Sequence, residues 1–153
     1  MAVNVLHTGS PPAEPALNEF IPGWDLEANP LPERVDPEQL LRAYRFSEEA
    51  HRGQKRRSGE DVIVHCVEVA QILTTLRLDT ITVVAGLVHD VIEDTPKTIA
   101  DIEREFGKEV ASIVDGLTKI EHLPMHSSQD RQVENYRKLL LSIARDARVI
   151  IIK

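Results

Sequence analysis

Leu87-Val88-His89-Asp90-Val91-Ile92-Glu93-Asp94-Thr95-Pro96 is the stretch on which the reading of this chain turns. Four polar, metal-competent side chains interrupt an apolar run that begins at Ile81. A helix over Ile81–Asp94 sets His89 and Glu93 one turn apart, and Asp90 and Asp94 likewise, on adjacent stripes that address one pocket. Pro96 stops the helix, so Glu93 and Asp94 fall in its last turn, where partial negative charge disfavours carboxylates. A bound cation would offset that arrangement. The bland alternative is a solvated acidic turn with His89 packed in the core.

Working outward, Asp79 is expected to cap this helix. Val83, Val84, Val88 and Val91 are β-branched and would allow a strand, but the run's length, cap and proline stop favour helix. Upstream, Asp61 is expected to cap a helix over Val62–Leu76, with Val62, Val69, Ile72, Leu73 and Leu76 as its apolar positions. His65 lies in its first turn and matters only if it meets His89. Two histidines and an adjacent aspartate on neighbouring helices make a catalytic metal site, with imidazole suiting Mn, Fe or Zn and carboxylate favouring harder ions. Glu93 could orient or deprotonate a water there.

Before Asp61 runs Arg52-Gly53-Gln54-Lys55-Arg56-Arg57-Ser58-Gly59-Glu60, which holds four of the chain's 18 basic residues and two glycines. It reads either as a solvated loop or as an anion-binding loop, where Arg and Lys neutralise phosphates and an Arg plane stacks on a base. Asp36-Pro37 opens a helix that runs to about His51, a helix-end residue. Seven of nine prolines lie at or before Pro37, so residues 1–35 are expected to be an irregular tail, with Trp24, Phe20, Ile21 and Leu26 either docked or poorly ordered. Residues 36–153 form the domain.

Downstream, Thr98-Ile99-Ala100-Asp101 has the form of a capping box for a short helix ending at Phe106-Gly107. Val110 to about Lys119 marks another helix, and residues 121–129 a loop. A long amphipathic helix follows, with Val133, Tyr136, Leu139, Leu140, Ile143 and Ala144 expected on its buried face. The chain stops within its most apolar run, Val149-Ile150-Ile151-Ile152, so it is expected to be a fragment of a longer protein.

Composition narrows the classes. A formal net charge of −7 argues against nucleic-acid binding and against an anionic membrane surface. Cys66 is the sole cysteine, which excludes an internal disulfide and a Cys-based zinc cage. The first residues lack a secretory pattern, no stretch reaches transmembrane length, and the expected location is the cytoplasm.

Taken in order, Ala50-His51-Arg52-Gly53-Gln54, Arg56-Arg57-Ser58-Gly59-Glu60, His65, His89 to Thr95, Phe106-Gly107, Val114 to Lys119 and Glu134-Asn135-Tyr136-Arg137-Lys138 resemble the hydrolase half of the RelA/SpoT homologues, over about residues 37–153. The resemblance implies an all-α HD-domain helical bundle holding one Mn²⁺. It implies metal ligation by His65, His89 and Asp90, water activation by Glu93 and Asp94, and contact of Arg56, Arg57 and Ser58 with a guanosine nucleotide (ppGpp or pppGpp). The implied reaction removes the 3′-pyrophosphate of ppGpp, giving GDP and pyrophosphate, within a bifunctional synthetase/hydrolase. Synthetase-only relatives lose the His-Asp pair, which this chain keeps.

The chain departs from the family pattern at Asp61-Val62, where Pro-Tyr is usual, and at His65-Cys66, where His-Pro is usual. Family members also continue past Lys153 with a segment bearing a further Asp ligand, so the metal shell is expected to be incomplete and the chain a weak hydrolase. Competing readings are a stand-alone small alarmone hydrolase, another HD phosphohydrolase acting on nucleotides or NADPH, and a non-catalytic helical regulatory module.

Overall fold

The computed structural model describes residues 21–122 and 129–153. Among the described residues eight helices follow in order: α1 Pro37–Ala50, α2 Val62–Thr75, α3 Thr80–Val88, α4 Val91–Asp94, α5 Ile99–Phe106, α6 Lys108–Glu121, α7 Gln129–Arg145 and α8 Arg148–Ile152. The all-α expectation holds: among the described residues the one β-type pairing is an isolated bridge between Lys55 and Asp61.

The helix ends follow their side chains. Asp36 accepts from the Glu38 N–H, and Asp79 from the Thr82 N–H. Thr98 and Asp101 close a reciprocal capping box that fixes the start of α5. Asp61 precedes α2 but makes no capping bond; its carboxylate pairs instead with Lys55 Nζ at 2.8 Å, which closes the neck of the basic loop.

α3 is the hub. It packs against α1, α2 and α6, and Val83, Val84, Ala85, Leu87 and Val88 are all buried. That burial on every side explains why a β-branched run forms a helix here, because tertiary packing outweighs a small propensity difference. At Gly86 the approach of α2 is closest: a Cβ built there would stand 2.5 Å from Leu73 Cδ1.

Three expectations need correction. The apolar face of α2 is Val62, Cys66, Val67, Ala70, Leu73 and Thr74, whereas Ile72 and Leu76 are 60% and 57% exposed. A helix apolar on most sides offers several stripes of similar quality, and the position of α3 selects among them. The long helix α7 buries little of its expected face: Val133, Tyr136 and Leu140 are 67%, 66% and 65% exposed and Ala144 is exposed too, while Leu139 and Ile143 are half-buried. Among the described residues α7 leans chiefly on α6 and α8. Finally, the helix expected over Ile81–Asp94 is broken at His89-Asp90, for a reason that belongs to the site below.

Residues 21–35 hold no helix, yet Ile21, Trp24 and Val35 are buried in the main core. Gln71 of α2 stitches this strap down, accepting from the Asp25 N–H at 3.0 Å and donating to the Gly23 carbonyl at 3.1 Å. Phe20 and residues 1–19 lie outside the described residues, as does most of the loop expected over 121–129. At the other end, Val149 and Ile152 of α8 are buried while Ile150 and Ile151 are exposed. Val149 sits over Gly116 of α6, and Arg148 ion-pairs with Asp146, Glu109 and Asp79. No described helix is long and apolar enough to cross a membrane.

Two outcomes follow from these contacts. Gly86→Ala gains about 1 kcal/mol of helix propensity but overpacks the fully buried Leu73 at a cost of about 1–3 kcal/mol. A thermal melt should therefore show a lower Tm; an unchanged or raised Tm would mean that the α2–α3 contact is slack. The second outcome concerns Asp101. Its bonds to the Thr98 backbone and to Arg104 lower its pKa from 3.8 to about 2. Because the folded value is the lower one, the stabilisation is present above 3.8 and lost as pH falls toward about 2. Asp101→Ala should reduce Tm at neutral pH, and the deficit should close on acidification.

Candidate metal and nucleotide site

His89 ends α3, and its ring explains the break. Nδ1 donates to the Gly86 carbonyl at 2.7 Å, the oxygen that a continuous helix would give to the Asp90 N–H. The side chain thus takes the place of a backbone bond. Asp90 adopts φ −87° and ψ −9°, and helical bonding restarts with the Asp94 N–H donating to the Asp90 carbonyl at 3.0 Å.

With Nδ1 engaged, Nε2 is the atom that His89 offers to its neighbours. It stands 2.9 Å from Asp90 Oδ1, while His65 Nε2, from the first turn of α2, is 4.0 Å from Asp90 Oδ2. The two imidazoles meet edge to face with centroids 5.4 Å apart. One donor atom from each of His65, His89 and Asp90 lies within 4.8 Å of the others. Ligands at about 2.1 Å from one ion are separated by about 3–4 Å, so this set could hold a divalent cation with small side-chain rotations.

The electrostatics divide the cluster: burial lowers His89, but Asp90 and the Gly86 carbonyl outweigh it and hold His89 above the ordinary histidine value, so a cation must displace the proton on Nε2. Burial pushes the Asp90 carboxyl up, but the hydrogen bond and charge of His89, with His65 behind it, hold it below the ordinary carboxylate value. Burial lowers His65, assisted by Arg56 and His89, which keeps its imidazole neutral and able to donate a lone pair. Glu93 shifts the other way: burial and the Asp90 charge raise it, against opposing pulls from Lys153 and His122.

The basic loop stands across from this cluster. Its tip is a turn in which the Gly59 N–H donates to the Arg56 carbonyl and the Arg56 N–H to the Glu60 carbonyl, with Gly59 at φ +89°. A cleft of about 730 Å³ is lined by Gln54, Arg56, Arg57 and Ser58 on one side and by Asp90 and Asp94 on the other. Arg56, Arg57, Ser58 and Asp94 are exposed to it. Glu93 is half-buried one turn beyond Asp90 and does not line that cleft. A second groove of about 490 Å³, between α6 and α7, touches Lys119, His122, Lys138 and Arg145 but no member of the cluster.

Sequence reading missed two participants. His51, expected as a helix end with a ligand role as the lesser alternative, does cap α1 but is 3% exposed, and its Nδ1 meets Gln54 Oε1 at 2.8 Å. Gln54 Nε2 then donates to the Asp94 carbonyl at 2.7 Å. Both residues stand in the Ala50–Gln54 stretch that carries part of the family resemblance, yet their polarity and spacing alone give no hint of a partner 40 positions away.

An all-helical bundle with a His-His-Asp cluster at the broken end of its central helix is the architecture of an HD domain, and the HD-domain family model matches residues 43–153. The chain belongs to that family. It is 47% identical over 115 residues to the bifunctional (p)ppGpp synthase/hydrolase SpoT of Escherichia coli K12, a match covering 75% of this chain and 16% of that protein. Over 108 residues it is 50% identical to a guanosine-3′,5′-bis(diphosphate) 3′-pyrophosphohydrolase of Haemophilus influenzae, covering 71% and 16%. A GTP pyrophosphokinase of Myxococcus xanthus is 39% identical over 142 residues, covering 91% and 17%. The resemblance to RelA/SpoT homologues is thereby borne out, and the chain spans about 16% of the length of these curated relatives.

A divalent cation that binds the folded cluster should raise Tm by mass action. The rise should vanish in Asp90→Asn and His65→Ala. An equal rise in those variants would place the ion elsewhere.

Proposed function

We propose that this chain is the hydrolase domain of a bifunctional (p)ppGpp synthetase/hydrolase, acting on guanosine-3′,5′-bis(diphosphate) to give GDP and pyrophosphate. The observation that carries this reading is the shared cleft: Arg56, Arg57 and Ser58, whose side chains suit phosphate, line it together with Asp90, which belongs to the His65–His89–Asp90 cluster. The names of the relatives agree with it. The catalytic unit is assigned to residues 36–153, with residues 21–35 packed along it.

His65, His89 and Asp90 would hold one cation, assigned as Mn²⁺ because mixed imidazole and carboxylate donors suit an ion of intermediate hardness. Bound there, it would supply positive charge to polarise a phosphoryl oxygen and acidify water. The chain's own residues then have separate tasks. Arg56 and Arg57 neutralise phosphate charge, with one guanidinium plane available to stack on the guanine, and the Ser58 hydroxyl hydrogen-bonds to the nucleotide. Glu93 takes the proton of the attacking water on a carboxylate oxygen; its raised pKa makes it the stronger base. Asp94, exposed in the cleft, orients that water. The water oxygen bonds to the phosphorus nearest the ribose, the bond from that phosphorus to O3′ breaks, and O3′ leaves with a proton as the 3′-hydroxyl of GDP.

The test is ppGpp hydrolysis in Mn²⁺, followed by phosphorus NMR. His89→Ala should abolish turnover while the protein stays folded and helical by circular dichroism. Glu93→Gln should keep the metal and lose roughly 10²–10⁴-fold in rate. Arg56→Ala should raise KM, and the wild-type KM should climb with salt as phosphate contacts are screened. Metal-loaded protein that leaves ppGpp intact would point to a regulatory module, and faster turnover of NADPH to a different HD phosphohydrolase.

A further inference from the structure

Gln54 opens the basic loop, and both ends of its amide are in use. One end faces the Asp94 carbonyl at 2.7 Å, the other His51 Nδ1 at 2.8 Å. A carbonyl oxygen can only accept, so the NH₂ faces Asp94 and the amide oxygen faces His51. His51 therefore carries its proton on Nδ1, while its buried Nε2 has no hydrogen-bond partner. The Gln54 backbone is equally constrained: its N–H donates to the His51 carbonyl at 2.9 Å and its carbonyl accepts from the Val62 N–H at 3.2 Å.

One side chain thus joins the end of α1, the start of the basic loop and the last residue of α4. The α4 segment needs such a partner. It is four residues long, its last carbonyls have no intrahelical donor, and a single turn has almost no cooperative stability of its own.

We propose that Gln54 is a positioning residue: held by His51, it fixes the spacing between the loop Arg56–Ser58 and the acidic turn Glu93–Asp94. The proposal rests on the hydrolase reading. A nucleotide anchored by the loop presents its reacting phosphorus at a set distance, so the turn must keep register with the loop. Misplacement by about 1 Å costs on the order of 10²-fold in such geometries.

The experiment uses the Mn²⁺-loaded protein and ppGpp, with hydrogen exchange measured in parallel. Gln54→Leu keeps the bulk and removes both bonds. It should lower kcat about 10–100-fold while KM moves far less, because Arg56, Arg57 and Ser58 remain. His51→Leu should reproduce this split without changing any residue that lines the cleft of Arg56 and Asp94. His51→Asn can place an amide N–H where Nδ1 stands and should recover most of that loss. In Gln54→Leu the Asp94 and Thr95 amides should exchange faster while those of α1 and α2 keep their protection. A kcat equal to wild type, a change confined to KM, or His51→Asn no better than His51→Leu would overturn the proposal. If wild-type protein leaves ppGpp intact, the hydrolase reading falls and exchange alone decides the clamp. Unaltered protection at Asp94 and Thr95 would then overturn it, and selective loss there would uphold it.

Discussion

At Gly86, a Cβ atom would stand 2.5 Å from Leu73 Cδ1, so the buried Leu73 side chain packs against α3 in space that the glycine leaves open. The carbonyl of the same residue receives His89 Nδ1. The first contact decides where α2, and with it His65, sits relative to α3. The second decides which nitrogen of His89 faces His65 and Asp90. The cluster therefore depends on one backbone position for both its spacing and its orientation.

The broken helix also resolves an electrostatic difficulty. A continuous helix through Asp94 would gather Asp90, Glu93 and Asp94 at its negative end. Breaking it after Val88 takes Glu93 and Asp94 off the end of the aligned α3 dipoles, because α4 is a single turn with little dipole of its own. The remaining repulsion is differentiated rather than removed. Asp90, bonded to His89, stays below the ordinary carboxylate range, while Glu93, deprived of such a partner, lies above it. Environments that push neighbouring carboxyls in opposite directions suit one to hold a cation and the other to accept a proton.

Elsewhere the fold is held by apolar burial more than by surface charge. Exposed pairs such as Arg42–Glu105 contribute about 0–1 kcal/mol, whereas burying a side chain such as Ile21 or Leu40 contributes about 1.5–3 kcal/mol. The strap over α2 follows that rule, with Ile21 and Trp24 supplying the adhesion and Gln71 the register.

How much could be read beforehand depends on whether the relevant physics is local. The caps at Asp36, Asp79 and Thr98–Asp101, and the ends of α1 and α5, follow from contacts within a few residues, and the sequence by itself determined them. The family resemblance and the pairing of His65 with His89-Asp90 were legible as well, because few residue types ligate metals and the motifs stand in order. Which stripe of α2 is buried was undetermined, since a helix apolar on most sides is oriented by its neighbour, and the same holds for α7, whose apolar stripe is largely exposed. The break at His89 arose from competition between a side chain and a backbone N–H for one carbonyl. In the bridge from His51 through Gln54 to Asp94, the Gln54–Asp94 bond spans 40 positions and exists because the fold brings the end of α4 against the start of the basic loop. Those features were decided by tertiary structure, since each is a contact between groups that the chain order leaves far apart or equally able to bond elsewhere.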